Sequence, residues 1–178
     1  IIDGDTMTED NITKAGFKTM DPIAELGLEG YNVVIPDITT MTKEALKDTG
    51  MDNKAMVKCK NMFALGIVFW MYNRSDEFAK KFLDSKFAKK NPLVAEANMR
   101  VIEAGYDYVA NTHQFANNYT VAPAELEKGV YRSINGNTAT AWGFCAASEK
   151  SGLPLFCGSY PITPATVILE ELAKRKDL

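Results

Sequence analysis

The run Tyr160-Pro161-Ile162-Thr163-Pro164 sets one hydroxyl between two prolines, each of which restricts the backbone beside it. Pro164 suits the first position of a helix, which would make Thr163 its N-cap. The Thr163 hydroxyl and the unpaired N–H groups of that first turn would then face the crevice at the carboxyl end of a strand at Leu153–Cys157. Open α/β sheets take ligands at such a crevice, and a helix start suits a carboxylate or a developing anion. Read from the residues alone, a structural cap is the simpler account of Thr163.

The other candidates carry weaker chemistry. Asp3-Gly4-Asp5-Thr6 follows an apolar pair and could suggest a phosphotransferase aspartate pair at a strand end. Such sites place a threonine two residues past the second aspartate, where this chain has Met7, so a polar turn leaving a strand is the plainer reading. His113, the single histidine, follows a helix with no cysteine or acidic cluster nearby and reads as a C-terminal cap or surface residue. Cys59, Cys145 and Cys157 stand far apart in apolar surroundings and read as buried, hydrophobe-like thiols with no metal-ligand spacing. Neither nucleotide-binding glycine pattern is present: Gly136 and Gly143 bracket a helix start without the lysine of a phosphate loop.

The elements that must hold these residues come in two groups. Tyr31 to Ile35 is β-branched and stops at Pro36, a strand signal. Asp21-Pro22 opens a short helix that Gly27 or Gly30 could end. Met62 to Tyr72 is apolar all round, which predicts a helix buried in a core or at a subunit interface. Ser75 caps a second helix carrying Phe78 and Phe82, and a third follows Asn91-Pro92 with Leu93, Ala97, Val101, Ala104 and Tyr108 on one face. Periodicity stops from Asn117 to Arg132. Beyond it, a small-residue helix starts at Gly136-Asn137-Thr138 and runs to Ser151-Gly152, the Leu153–Cys157 strand follows, and a last helix carries Ala165, Ile168, Leu169 and Leu172. The expected fold is therefore α/β, with a helical hairpin on a strand-containing layer over 1–116, a linker over 117–132 and a second α/β domain beginning at 133–178. Because the chain opens on Ile1-Ile2-Asp3 and closes on a helix still running at Glu170 to Lys176, it reads as an internal segment of a longer polypeptide.

Composition narrows the class. The 178 residues are 46% hydrophobic and 24% charged, which excludes a disordered or fibrous chain. Lys and Arg number 20 against 23 Asp and Glu, a net charge of −3 that gives no field for nucleic acid. The apolar run at Met62–Tyr72 falls well short of the roughly 20 residues that span a bilayer. With three unpaired cysteines, these features predict a cytoplasmic chain that binds neither nucleic acid nor membrane.

Gly136-Asn137-Thr138-Ala139, followed by Tyr160-Pro161-Ile162-Thr163-Pro164 and Glu170, resembles the thiamine-dependent 2-oxoacid:ferredoxin oxidoreductases. Lys60-Asn61-Met62-Phe63-Ala64-Leu65-Gly66 and Ala104-Gly105-Tyr106 are similar to the gamma domain of that family. The gamma-like part comes first, as in the fused alpha subunits of the 2-oxoglutarate class. The resemblance implies a gamma-type α/β domain followed by the start of a thiamine-enzyme pyrimidine-type α/β domain. It implies oxidative decarboxylation of a 2-oxoacid with coenzyme A, electrons passing to ferredoxin, in anaerobic metabolism and in a heteromeric complex. By the same analogy Thr163 hydrogen-bonds the substrate as the catalytic residue, Tyr160, Pro161, Ile162 and Pro164 form the pocket wall around it, and Gly136 and Asn137 shape a helix start. Two departures are plain: Ala165 and Thr166 stand where the family usually has serine, and no thiamine or metal motif occurs in the chain. Thiamine diphosphate with magnesium and the iron–sulfur cluster are therefore expected on a partner beta subunit or outside this segment, no metal is expected here, and the segment alone is expected to be inactive. The competing reading is a non-catalytic docking segment of the complex.

Overall fold

A computed structural model describes residues 1–88 and 91–175, in two compact units, Ile1–Pro123 and Ala124–Leu178. In the first, α1 (Glu9–Lys14), α2 (Pro22–Glu25), α3 (Ile38–Leu46) and α4 (Asn53–Val57) lead into α5 (Lys60–Met71), α6 (Glu77–Leu83) and α7 (Pro92–Thr112). The second holds α8 (Gly136–Ser151) and α9 (Thr166–Leu172). Among the described residues no helix is long and apolar enough to cross a membrane. The last helix ends at Leu172; Lys176, to which it was expected to run, lies outside the described residues.

No strand or sheet forms among the described residues, which corrects the α/β expectation for both parts of the chain. At the expected first strand the reason is a missing donor. The Ile2 N–H donates to the Val34 carbonyl (2.9 Å) and the Gly4 N–H to the Pro36 carbonyl (2.8 Å), so the two segments run parallel. The next rung of a parallel ladder would need the N–H of residue 36 to return to Ile2, and proline has none. At Leu153–Cys157 the chain is irregular, and Leu153 and Phe156 are 68% and 92% exposed. An isolated segment has nothing to pair with and gains little from β-propensity alone.

What holds the first unit together is helix on helix. Ile38, Thr42 and Leu46 bury one stripe of α3; Phe63, Gly66 and Ile67 do so on α5; Ala97, Val101, Gly105 and Val109 on α7. Met56 and Cys59 complete the core. Helices α5 and α7 touch at a glycine on each: a Cβ on Gly66 would lie 2.0 Å from the Ile102 carbonyl oxygen, and one on Gly105 2.0 Å from that of Phe63. Only glycine permits backbones that close. Phe63 also meets Tyr108 with ring centroids 5.8 Å apart. After α7 the chain turns back along α5, with Phe115 against Trp70, Tyr119 against Tyr72, and the Tyr119 N–H donating to the Met71 carbonyl (2.6 Å).

The helix expected at Met62–Tyr72 forms as Lys60–Met71 with Tyr72 as its C-cap, but it is not buried all round: Val68 and Tyr72 are exposed because α3 and α7 cover only part of its surface. Asp76 rather than Ser75 holds the N-cap position of α6, although the Ser75 hydroxyl accepts from the Glu77 N–H (3.2 Å). Phe78 and Phe82 lie outside the core, beneath the ammonium groups of Lys81 and Lys86. Asp21 caps α2 as its sequence predicts, accepting from the Ile23 and Ala24 N–H groups (both 3.1 Å).

Thr42 is fully buried, and its hydroxyl finds no partner among the described residues. An unsatisfied buried hydroxyl is destabilising, so Thr42→Val is expected to raise stability by about 1 kcal/mol. A thermal scan would show the midpoint moving up by a few degrees; a lowered midpoint would count against that account of Thr42.

Candidate functional site

The second unit is built on α8. Asn135 caps it, its side-chain oxygen accepting from the Thr138 N–H (2.9 Å), and Gly152, at φ +69, ends it. Ala141, Cys145 and Ser148 form its buried stripe, with Leu172 of α9 packed against it and Leu155 and Ile168 half-buried alongside. Among the described residues the connection between the helices is fastened near both ends of α8. The Ser148 hydroxyl donates to the Leu153 carbonyl (2.6 Å), and the Asn137 side-chain amide donates to the Pro164 carbonyl (2.9 Å). The two motifs singled out in the sequence, at Gly136-Asn137 and Tyr160–Pro164, are therefore brought together by a direct bond across 27 residues.

Tyr160, Pro161, Ile162, Thr163 and Pro164 form an exposed turn, with Tyr160 at 70% and Ile162 at 49% of full exposure, and the Thr163–Pro164 peptide is cis. A cavity of about 330 Å³ adjoins the turn, lined by Phe144, Phe156, Cys157, Ser159, Ala165 and Ile168 among others; its wall passes from Ser159 to Ala165 without the five motif residues.

Thr163 is not the N-cap that its sequence predicts, and Pro164 is not the first helical residue. Helix α9 starts at Thr166, behind Ala165. A Thr163 cap would have to accept from an N–H two or three residues on, and the Thr166 N–H is already bonded to the Ile162 carbonyl (3.0 Å), as is the Thr166 hydroxyl (3.1 Å). The Val167 and Ile168 N–H groups likewise close onto Pro164 and Ala165 carbonyls (3.4 and 3.0 Å). Of the donors expected to face an anion, those of Thr166, Val167 and Ile168 are thus used within the turn.

Asp3 and Asp5 have a structural task. The Asp3 carboxylate accepts from the Thr39 hydroxyl (2.8 Å), the Thr39 N–H (3.4 Å) and Lys60 Nζ (3.2 Å). Asp5 accepts from the Thr40 N–H and hydroxyl (both 2.7 Å). Together they cap the start of α3, whose own N-cap residue, Asp37, makes no side-chain cap bond. Burial alone would raise the Asp3 carboxyl, but the Thr39 and Lys60 bonds outweigh it and hold the group below the usual aspartate range. No local signal marks this role, because acid and helix are separated by 35 or 36 residues.

His113 ends α7 in the left-handed region (φ 51), its N–H donating to the Val109 carbonyl (3.3 Å), so its task is a backbone cap. Cys59 and Cys145 are buried, and burial pushes the Cys59 thiol up, away from reactivity. Cys157 is exposed, contrary to expectation, because the segment around it has no sheet to enter. Among the described residues no three His, Cys, Asp or Glu side chains gather as a metal site, so these residues do not fit a magnesium ion or an iron–sulfur cluster.

The model of the family described as pyruvate ferredoxin/flavodoxin oxidoreductase matches residues 3–108. The chain belongs to this family. The match covers most of the helical unit, including the Gly66 and Gly105 contact and the acid-capped α3. Likeness to a curated protein extends further: over 177 residues, 99% of the chain, it is 44% identical to the 2-oxoglutarate oxidoreductase subunit KorA of Mycobacterium tuberculosis (strain ATCC 25618 / H37Rv). That alignment takes in the turn at Tyr160–Pro164. The chain spans 27% of the length of this relative. No solved structure matches it.

Proposed function

We propose that the chain is a segment of a subunit of a thiamine-dependent 2-oxoacid oxidoreductase, one that oxidatively decarboxylates 2-oxoglutarate to its acyl-coenzyme A and passes the electrons to ferredoxin. The observation that carries this reading is the 44% identity along 99% of the chain to a protein named as a 2-oxoglutarate oxidoreductase subunit. In this reading the complex is heteromeric and cytoplasmic. A partner beta subunit holds thiamine diphosphate and magnesium, and the iron–sulfur cluster lies on a partner chain or outside this segment. Thiamine diphosphate, when bound, supplies the decarboxylation chemistry. This chain contributes the Tyr160–Pro164 turn, in which the exposed Thr163 hydroxyl donates a hydrogen bond to the 2-oxoacid and its neighbours form one wall of a substrate pocket that the assembled complex completes, separate from the cavity beside the turn.

The test uses the full-length protein with its co-purifying partners, isolated without oxygen and assayed by viologen reduction. Turnover should require both coenzyme A and a 2-oxoacid, with 2-oxoglutarate preferred. Thr163→Ala should reduce kcat about a hundredfold, the effect of removing one well-placed donor, while the complex stays assembled. Full turnover in that variant would remove Thr163 from the chemistry. No turnover by a complex whose partner is loaded with thiamine would leave the segment as a docking element.

A further inference from the structure

Asn137 occupies the second position of α8, where an asparagine has no evident advantage for the helix itself, since the cap is already supplied by Asn135. Its amide instead reaches the Pro164 carbonyl at 2.9 Å. A carbonyl can only accept, so the NH2 group must face it. At the other end of α8, Ser148 holds the Leu153 carbonyl at 2.6 Å. The two anchors stand eleven residues apart on the helix, about 16 Å, whereas the eleven residue steps from Leu153 to Pro164 could extend to about 36–40 Å. The connection therefore has more than twice the contour it needs, and its own length does not determine where the turn sits. Most of the segment is exposed; packing holds it at Leu155 and, beyond the turn, through Ile168 and Leu172 of α9, and not at the turn itself.

We infer that Asn137 is a positioning residue for the reaction: by holding the Pro164 carbonyl it fixes the adjacent Thr163 hydroxyl. The inference rests on the reading of Thr163 as the substrate-contacting residue. Asn137 itself touches no reacting atom in this scheme; it acts through the turn.

A helix-start role and a turn-holding role give opposite expectations for Asn137→Asp. Aspartate in the first turn of a helix is favoured by the helix dipole, so a residue that only shapes the start of α8 would tolerate the change. Aspartate has no N–H, however, and would set a carboxylate oxygen against the Pro164 carbonyl. In the intact complex Asn137→Asp should leave assembly and thermal midpoint unchanged, lower kcat/KM for 2-oxoglutarate about tenfold, and speed amide exchange several-fold in the peptide covering Ile162–Thr166. Asn137→Ala should behave alike in activity and exchange, which covers the case where the charge has an effect of its own. The double variant Asn137→Asp/Thr163→Ala should be no slower than Thr163→Ala alone, because the two act through one interaction. Wild-type activity in Asn137→Asp, or losses that multiply in the double variant, would overturn the inference while a damaged Thr163→Ala left the site reading standing. A silent Thr163→Ala would sink the site reading, and this inference with it.

Discussion

Alanine at Gly66 or at Gly105 is expected to destabilise the first unit by about 3 kcal/mol, the upper end of the range for overpacked cores. The obstacle at each position is backbone. A methyl at Gly66 meets the Ile102 carbonyl oxygen at 2.0 Å and the Tyr106 nitrogen at 2.8 Å; one at Gly105 meets the Phe63 carbonyl oxygen at 2.0 Å. No rotamer change relieves such a contact, so α5 and α7 must move apart. Separation would loosen Phe63, Ile67, Val101 and Val109, all at most 1% exposed in the core. The thermal midpoint of the intact protein should fall by roughly 10 °C. The two substitutions share one contact, so the double variant should lose clearly less than the sum, the second methyl entering space the first has opened. A change below about 0.5 kcal/mol for either single variant would mean that the helices do not approach this closely.

Asp3→Ala is expected to remove about 2 kcal/mol at neutral pH, at the high end for loss of a helix cap. It strips an acceptor from the Thr39 N–H and hydroxyl and leaves Lys60, 35% exposed, without its anion. Asp5→Ala should have a smaller effect, about 1 kcal/mol, since only Thr40 depends on it in the bonds to α3. The pH dependence follows from the sign of the Asp3 shift. A carboxyl held below its unfolded value adds stability in its charged form, so the contribution is complete at neutral pH and is lost as pH falls through and below about 4. Urea unfolding of wild type and Asp3→Ala should give midpoints well separated at pH 7 that converge in acid. A gap of constant size down to pH 3 would refute the ionic account of this cap.

The helices were largely legible in the sequence. Residues at helical spacing, Asp21 ahead of Pro22 and Gly152 after a small-residue run each act locally, and local signals survive whatever surrounds them. The strands were not, because a strand exists only with a partner: Val34 finds one in Ile2, but the ladder stops at a proline whose missing N–H is visible in the sequence only once the pairing is known. The same limit hid the site's wiring. Nothing near Asp3 announces Thr39, and nothing near Asn137 announces Pro164. At Thr163 the local signal was misleading, since Thr-Pro is a good helix opening in isolation but here the next N–H groups turn back onto Ile162, Pro164 and Ala165. The glycines at 66 and 105 stand out in an apolar helix and beside Tyr106, yet only the crossing of two helices explains both.

The two anchors on α8 also bear on how this part of the chain can diverge. The spacing between the Leu153 and Pro164 carbonyls is measured out by a rigid rod, while the covalent path between them is slack. Residues gained or lost between Leu155 and Ser159 are absorbed as a change of arc with both ends in place. One residue added to α8 between Asn137 and Ser148 turns the two anchors about 100° out of phase and presents only one of them to the loop. Drift in length is thus permitted in the irregular segment and forbidden in the regular one, so the helix, rather than the motif it positions, sets the gauge.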